Sequence, residues 1–172
     1  MDRLWAPWRL SYVANAKPPT ASDPCFICAN LAAGCKHDAE NLIAERNARS
    51  VVVLNRFPYN NGHLLVAPNA HKAELADLAV EEMLEIQQTI TRLVGVLRAM
   101  MKPDGFNIGL NLGRAAGAGL PGHLHWHIVP RWNGDTNFMP VLTDTRVIVQ
   151  SLGQFHALLC KELGGGISAA VD

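Results

Sequence analysis

The chain has 172 residues, 49% hydrophobic and 17% charged, enough for one sizeable core and too apolar for wholesale disorder. Its 15 Lys+Arg offset 15 Asp+Glu to a formal net charge of +0, so no global field recruits nucleic acid or an anionic membrane. An anionic substrate would have to be held by local groups.

In chain order, the first stretch, MDRLWAPWRLSYVANAK, carries an acidic residue at position 2 and prolines that break its apolar runs. It reads as neither a signal peptide nor a membrane span, and a soluble cytoplasmic protein is the expectation. Residues 1 to 24 form an expected N-terminal arm, anchored by Trp5, Trp8 and Tyr12. Three short strands are expected near 41 to 46, 50 to 55 and 62 to 67, an antiparallel meander punctuated by Asn, Pro and Gly. From about Glu74 the period changes. Leu84, Ile86, Ile90, Leu93, Val94, Leu97 and Met100 predict an amphipathic helix that ends before Pro103 and covers one face of the sheet.

FNIGLNLG then reads as a strand, RAAGAGLPG as a glycine-rich loop and HLHWHIVP as the partner strand. The segment WNGDTNFMPV is loop-like, and VIVQSLGQFHALLCKEL predicts a last helix that the glycines at 164 to 166 end. The fold class that follows is α+β, an antiparallel sheet of about five strands with one long helix and a C-terminal helix. The division is 1–24 as arm, 25–140 as the central domain and 141–172 as C-terminal helix and tail.

Chemistry concentrates in GHLHWHIVPRW, where His123, His125 and His127 occupy every second position. At about 6.5 to 7 Å per two residues a strand lines such rings on one face, with Leu124, Trp126 and Ile128 on the other. Several imidazoles are costly to hide together without a task. One ion bound by all three is awkward, because residues two apart on a strand diverge. Nucleophilic or proton-transfer chemistry suits them better, since a neutral imidazole offers a nitrogen lone pair. The loop upstream, with Gly113, Gly117, Gly119 and Gly122, lets backbone N–H groups approach phosphate oxygens. As a motif by itself it is weak, a hairpin connection being the plain alternative, and its place directly before the histidines is what strengthens it.

Cys25 and Cys28 make a CxxC without the strand that a redox motif needs before it. As half of a zinc site it lacks two ligands, for which His71 and His123 are candidates and Cys35 and His37 local rivals. Cys160 reads as a buried small hydrophobe, and His37 and His156 as ordinary histidines.

These segments together carry a resemblance. GHLHWHIVPRW resembles the His-x-His-x-His-x-x signature of the histidine-triad nucleotide-binding superfamily, and VVVLNRFPYNNGHLLVAPNAH is similar to that family's upstream strand-turn-strand. The continuation PRWNGDTNFMPV most resembles the branch of bacterial diadenosine tetraphosphate phosphorylases and related adenylyltransferases. The resemblance implies a sheet-and-helix fold, usually a homodimer, acting on an adenine nucleotide or dinucleoside polyphosphate. His125 would attack the α-phosphorus to make a covalent nucleotidyl-histidine, His127 would donate to the phosphoryl oxygens, and water or phosphate would release the nucleotide. Asn55 matches a ribose-binding position and Asn111 a phosphate-contacting one, with Gly117 and Gly119 in the phosphate loop.

Gly119 departs from the pattern, falling where many members carry glutamine or serine. Leaving-group contact must then come from backbone, water or another residue. Some bacterial members hold a structural zinc, which carries over to Cys25, Cys28, His71 and His123. Beside diadenosine polyphosphate phosphorolysis or hydrolysis stand a nucleotide-binding protein with little turnover, a nucleoside phosphoramidate hydrolase and, last, a catalytic-zinc metallohydrolase.

Overall fold

The structure, a computed structural model, describes residues 25–135 and 150–164. The expected N-terminal arm, 1 to 24, and the stretch from 136 to 149 lie outside the described residues. Five strands form one sheet: β1 (Ile43–Arg46), β2 (Ser50–Leu54), β3 (Leu64–Pro68), β4 (Gly105–Leu110) and β5 (Trp126–Arg131). Their spatial order is β1-β2-β3-β5-β4 and every pairing is antiparallel, as expected. The glycine-rich loop between β4 and β5 therefore joins neighbours, and β5 lies at the heart of the sheet between β3 and β4.

β2 reads SVVVL and is buried along its whole length, because both faces of the sheet are covered. Its side chains alternate accordingly. Val52 and Leu54 join Leu64, Val66, Trp126 and Ile128 in the main core, while Val51 and Val53 point to the opposite face with Ile43 and Ala67.

The main core is closed by two helices. The long one, numbered α3 below, runs Val80–Met101, and α4 runs Leu152–Gly164. Ile86, Ile90, Leu93, Val96 and Leu97 form the buried stripe of α3, while Leu84, counted in the expected apolar series, is 55% exposed. It falls outside the arc that a 3.6-residue period aims at the sheet. The helix stops at Lys102, which takes the left-handed conformation at φ 47°, and Pro103 prevents continuation. Phe155 and Leu159 of α4 complete the core. His156 of α4 donates Nε2–H to the carbonyl of Ile43 at 2.8 Å, and the Cys160 thiol lies 3.8 Å from that of Ala44. Both side chains cover the outer strand β1, so His156 is the ordinary structural histidine expected.

Two short helices were not legible in the sequence. Phe26–Ala32 forms α1, capped by the Cys25 Sγ, which accepts the Cys28 N–H at 3.4 Å, and Asp38–Asn41 forms the single turn α2. Ile27 of α1, 1% exposed, packs on Ile43, Val51, Val53 and Ala67 and covers the second face of the sheet. Arg46 ties α1 in place, donating to the carbonyls of Leu31 and Asn30 at 3.2 Å each and pairing with Asp38 at 2.7 Å.

Candidate active site

The segment from His123 to Arg131 builds the site. Only its last six residues belong to a strand: β5 starts at Trp126, so His123 and His125 precede the ladder rather than lying in it. The alternation persists nonetheless. Leu124, Trp126 and Ile128 all enter the core under α3, which sends the three imidazoles to the opposite face. Backbone support for the entry comes from the Leu124 N–H, which donates to the Lys72 carbonyl at 2.7 Å.

The three rings then divide. His123, 1% exposed, meets His71 edge to face at 5.1 Å between centroids. Its Nε2–H donates to the Pro68 carbonyl at 2.8 Å, which leaves Nδ1 bare. That nitrogen faces the Cys25 Sγ at 3.2 Å and the Cys28 Sγ at 3.5 Å, and His71 Nδ1 lies 3.3 Å from the Cys28 Sγ. All four ligand atoms lie within 4.8 Å of one another. Zinc–sulfur and zinc–nitrogen bonds of about 2.3 and about 2.0 Å put tetrahedral ligand atoms roughly 3.3 to 3.8 Å apart, so the set fits such an ion. The Pro68 carbonyl fixes the ligating tautomer of His123, as outer partners of metal-bound histidines do. Without a cation, burial first, and then the adjacent Cys25, push the Cys28 thiol up to about 11. The rival ligands stand apart, Cys35 exposed and His37 beside Glu40 at 3.3 Å.

His125 and His127 form a second group, with ring centroids 5.0 Å apart. The His125 Nδ1–H donates to the carbonyl of His123 at 2.8 Å, so Nε2 carries the lone pair. Burial holds the His125 imidazole below its usual range and keeps that lone pair free of a proton at neutral pH. Burial, reinforced by His125, pushes His127 down to about 4.

The partner of His127 is a residue that the sequence reading did not single out, His63. The N–H of Tyr59 donates to His63 Nδ1 at 3.0 Å, which puts the ring proton on Nε2, and Nε2 meets His127 Nδ1 at 2.9 Å. His127 is thereby an acceptor at Nδ1 and carries its own proton on Nε2. That Nε2–H is buried and has no hydrogen-bond partner among the described residues. Buried orphan donors are rare, and this one lies on the ring beside the unprotonated His125. The signal for His63 was its place in NNGH, where Gly62 is held at φ +76° and a Cβ would come within 2.8 Å of the Met101 sulfur.

The remaining expected residues are spread around this centre. Asn55 follows β2, its Nδ2 within 3.3 Å of the His63 ring and its Oδ1 accepting the Phe57 N–H at 2.9 Å. Asn111 braces the glycine-rich loop by donating to the Gly117 carbonyl at 3.4 Å, and Gly117 itself sits at φ +89°. A Cβ on Gly119 would meet nothing within 4 Å. No hydrogen bond joins Asn111, Gly117 or Gly119 to the imidazoles among the described residues.

Comparison with known proteins decides the family. The HIT domain profile matches residues 37–134. The chain belongs to the histidine-triad family. It is 39% identical over 166 residues, 94% of this chain and 84% of the relative, to the AP-4-A phosphorylase of Mycobacterium tuberculosis. It is 31% identical over 90 residues to the asymmetrical bis(5'-nucleosyl)-tetraphosphatase of Schizosaccharomyces pombe, a match covering 52% of this chain and 49% of that one. Among solved structures, a zinc-bound histidine-triad protein from Mycobacterium smegmatis superposes with a TM-score of 0.65 at 28% identity, over 82% of this chain and 94% of the other. The histidine-triad fold expected from the signature is thus the one observed, and this member has no helix among its described residues long and apolar enough to cross a membrane.

Proposed function

We propose that this histidine-triad protein is an enzyme that processes diadenosine polyphosphates, by phosphorolysis or hydrolysis, through a nucleotidyl group carried on His125. One observation carries the reading: His125 is locked by its own backbone with Nε2 unprotonated, beside a His127 whose buried Nε2–H has no protein partner. A nucleophile and an unspent donor on adjacent rings are what displacement at phosphorus needs.

In the first step His125 Nε2 bonds to the α-phosphorus and the bond to the bridging oxygen breaks, releasing the distal nucleoside polyphosphate. The His127 Nε2–H donates to the phosphoryl oxygens as their charge grows. Its donor direction is set by His63, which occupies the opposite ring nitrogen. Phosphate or water then attacks the phosphoramidate and returns His125. With diadenosine tetraphosphate, phosphorolysis gives ADP and ATP, and hydrolysis gives AMP and ATP. Asn55 serves the ribose, and Asn111, Gly117 and Gly119 shape the phosphate loop.

The relatives, named as a phosphorylase and an asymmetrical tetraphosphatase, support the same substrate class. Incubation with diadenosine tetraphosphate, with and without inorganic phosphate, identifies the acceptor from its products. His125→Ala is expected to abolish turnover while nucleotide still binds, and full activity in that variant would overturn the mechanism.

Cys25, Cys28, His71 and His123 would hold a structural zinc, all four positions taken by protein and none left for water. Its role is to fasten the start of the triad segment to α1. The protein is also read as a cytoplasmic homodimer. Strand β4 is the outer strand opposite β1 and leaves Ile108 47% exposed, with Leu112 beyond it 42% exposed, an edge fit to pair with a second copy. Sedimentation at monomer mass would remove the dimer.

The second reading, a nucleotide binder of low turnover, is favoured by Gly119, which offers the leaving group no side chain. The space around it is open. Gly119→Ser is expected to fold normally. A rise in turnover with unchanged AMP affinity would mark the missing side chain as the limit, and calorimetry beside a turnover assay measures both.

A further inference from the structure

The two cysteines do more than complete a ligand set. Cys25 sits in extended conformation immediately before α1, at φ −62° and ψ 112°, and Cys28 lies in the first turn, with both thiols aimed at one point. A disulfide needs the sulfurs about 2.05 Å apart, and since all four ligand atoms already lie within 4.8 Å, a closure of under about 3 Å suffices. Both cysteines are half-buried, and His71, on the outer side of the cluster, is exposed while His123 is not. A small oxidant therefore reaches the sulfurs from the His71 side without opening the core.

We propose that Cys25 and Cys28 are a peroxide-sensitive thiol pair, whose oxidation to a disulfide releases the metal and loosens the mount of His125. The inference rests on the structural-metal reading above. In the step, each thiolate gives up one electron as the Sγ–Sγ bond forms. The peroxide O–O bond breaks, taking those two electrons and two protons from solvent to leave as two waters. The cation departs, since two of its four ligands are gone.

Two features make the change local. The first is that α1 does not depend on the metal to stay docked: Ile27 is buried against the sheet, and Arg46 holds the carbonyls of Asn30 and Leu31. The second is the short path to the nucleophile. His123 lies outside the β5 ladder, and with the metal gone the one hydrogen bond that its ring keeps to the backbone is to the Pro68 carbonyl at 2.8 Å, beside the edge contact with His71. The backbone carbonyl of His123 accepts the His125 Nδ1–H. Freedom at His123 is passed directly to the orientation of His125.

The test uses the whole protein as isolated. Its metal content is measured, and hydrogen peroxide is then titrated in with 4-(2-pyridylazo)resorcinol present to report released metal. Metal release should rise in step with a proteolytic peptide, holding Cys25 and Cys28, that is lighter by two hydrogens. Dinucleotide turnover should fall about tenfold or more, in the range that disturbed outer supports of a site cost. Dithiothreitol with added zinc should restore both, and Cys35→Ser should behave as the parent. Loaded protein that keeps its metal under peroxide, or loses it with a sulfonate or a disulfide to Cys35, overturns the inference. Protein isolated without metal and with both thiols free overturns the metal reading and this inference with it.

Discussion

At the residue scale, the site depends on where two protons sit. His127 can donate from Nε2 only while His63 occupies its Nδ1, and His63 can do so only because the Tyr59 N–H fills its other nitrogen. The Tyr59 ring stacks over His127 at 6.0 Å and 19°, further restricting its rotation. Replacing His63 by Ala frees the His127 ring to flip or change tautomer. We expect kcat to fall by about 10- to 100-fold with KM for the dinucleotide little changed, as for loss of one orienting partner in proton-transfer chemistry. Steady-state kinetics separate the two constants, and an unchanged kcat would show that His63 only fills space. The sequence offered for His63 only its place beside Gly62, and its pairing with His127 was not legible there, since the two lie 64 positions apart.

At the scale of elements, the sheet is sealed on one side by α3 and α4 and on the other by α1, and α1 carries both cysteines. Its seven residues are too short to be stable alone, so tertiary contact forms this helix rather than propensity. That is why the sequence showed only a CxxC and no helix, whereas the 22-residue α3 announced itself through its apolar period. Ile27 is the main apolar anchor of α1. Ile27→Ala should destabilise the protein by roughly 2 to 4 kcal/mol through lost burial and the cavity left behind. Because α1 positions Cys25 and Cys28, the same variant should bind zinc more weakly. Urea unfolding with and without a chelator measures both effects, and equal stability to the parent would mean that α1 does not seal the sheet.

For the whole molecule, burying a row of imidazoles ties stability to pH. His127 has a folded pKa of about 4, pushed down by burial and then by His125, against an ordinary value of 6.5. As pH falls below 6.5 the unfolded chain takes up this proton before the folded one does. The contribution is therefore full above 6.5, declines as pH falls and is gone once pH passes about 4. The urea midpoint should drop between pH 7 and pH 4.5, roughly the window in which only the unfolded chain is protonated. His127→Phe should flatten that slope, and an unaltered slope would place the acid sensitivity elsewhere.

The sequence alone determined the fold class, the order of the strands along the chain and the long helix, because hydrophobic period is local and survives without coordinates. It also put three imidazoles on one face, since alternation belongs to extended chain: Leu124, Trp126 and Ile128 do enter the core, although β5 begins only at Trp126. What each imidazole contacts was decided by tertiary structure. His123 turns to two cysteines 98 and 95 residues away, and His127 to a histidine just before the neighbouring strand β3, while His125 is held by its own chain. For His123 and His127 these partners are long-range and no local pattern encodes them, whereas the His125 tautomer is set by a carbonyl two residues away.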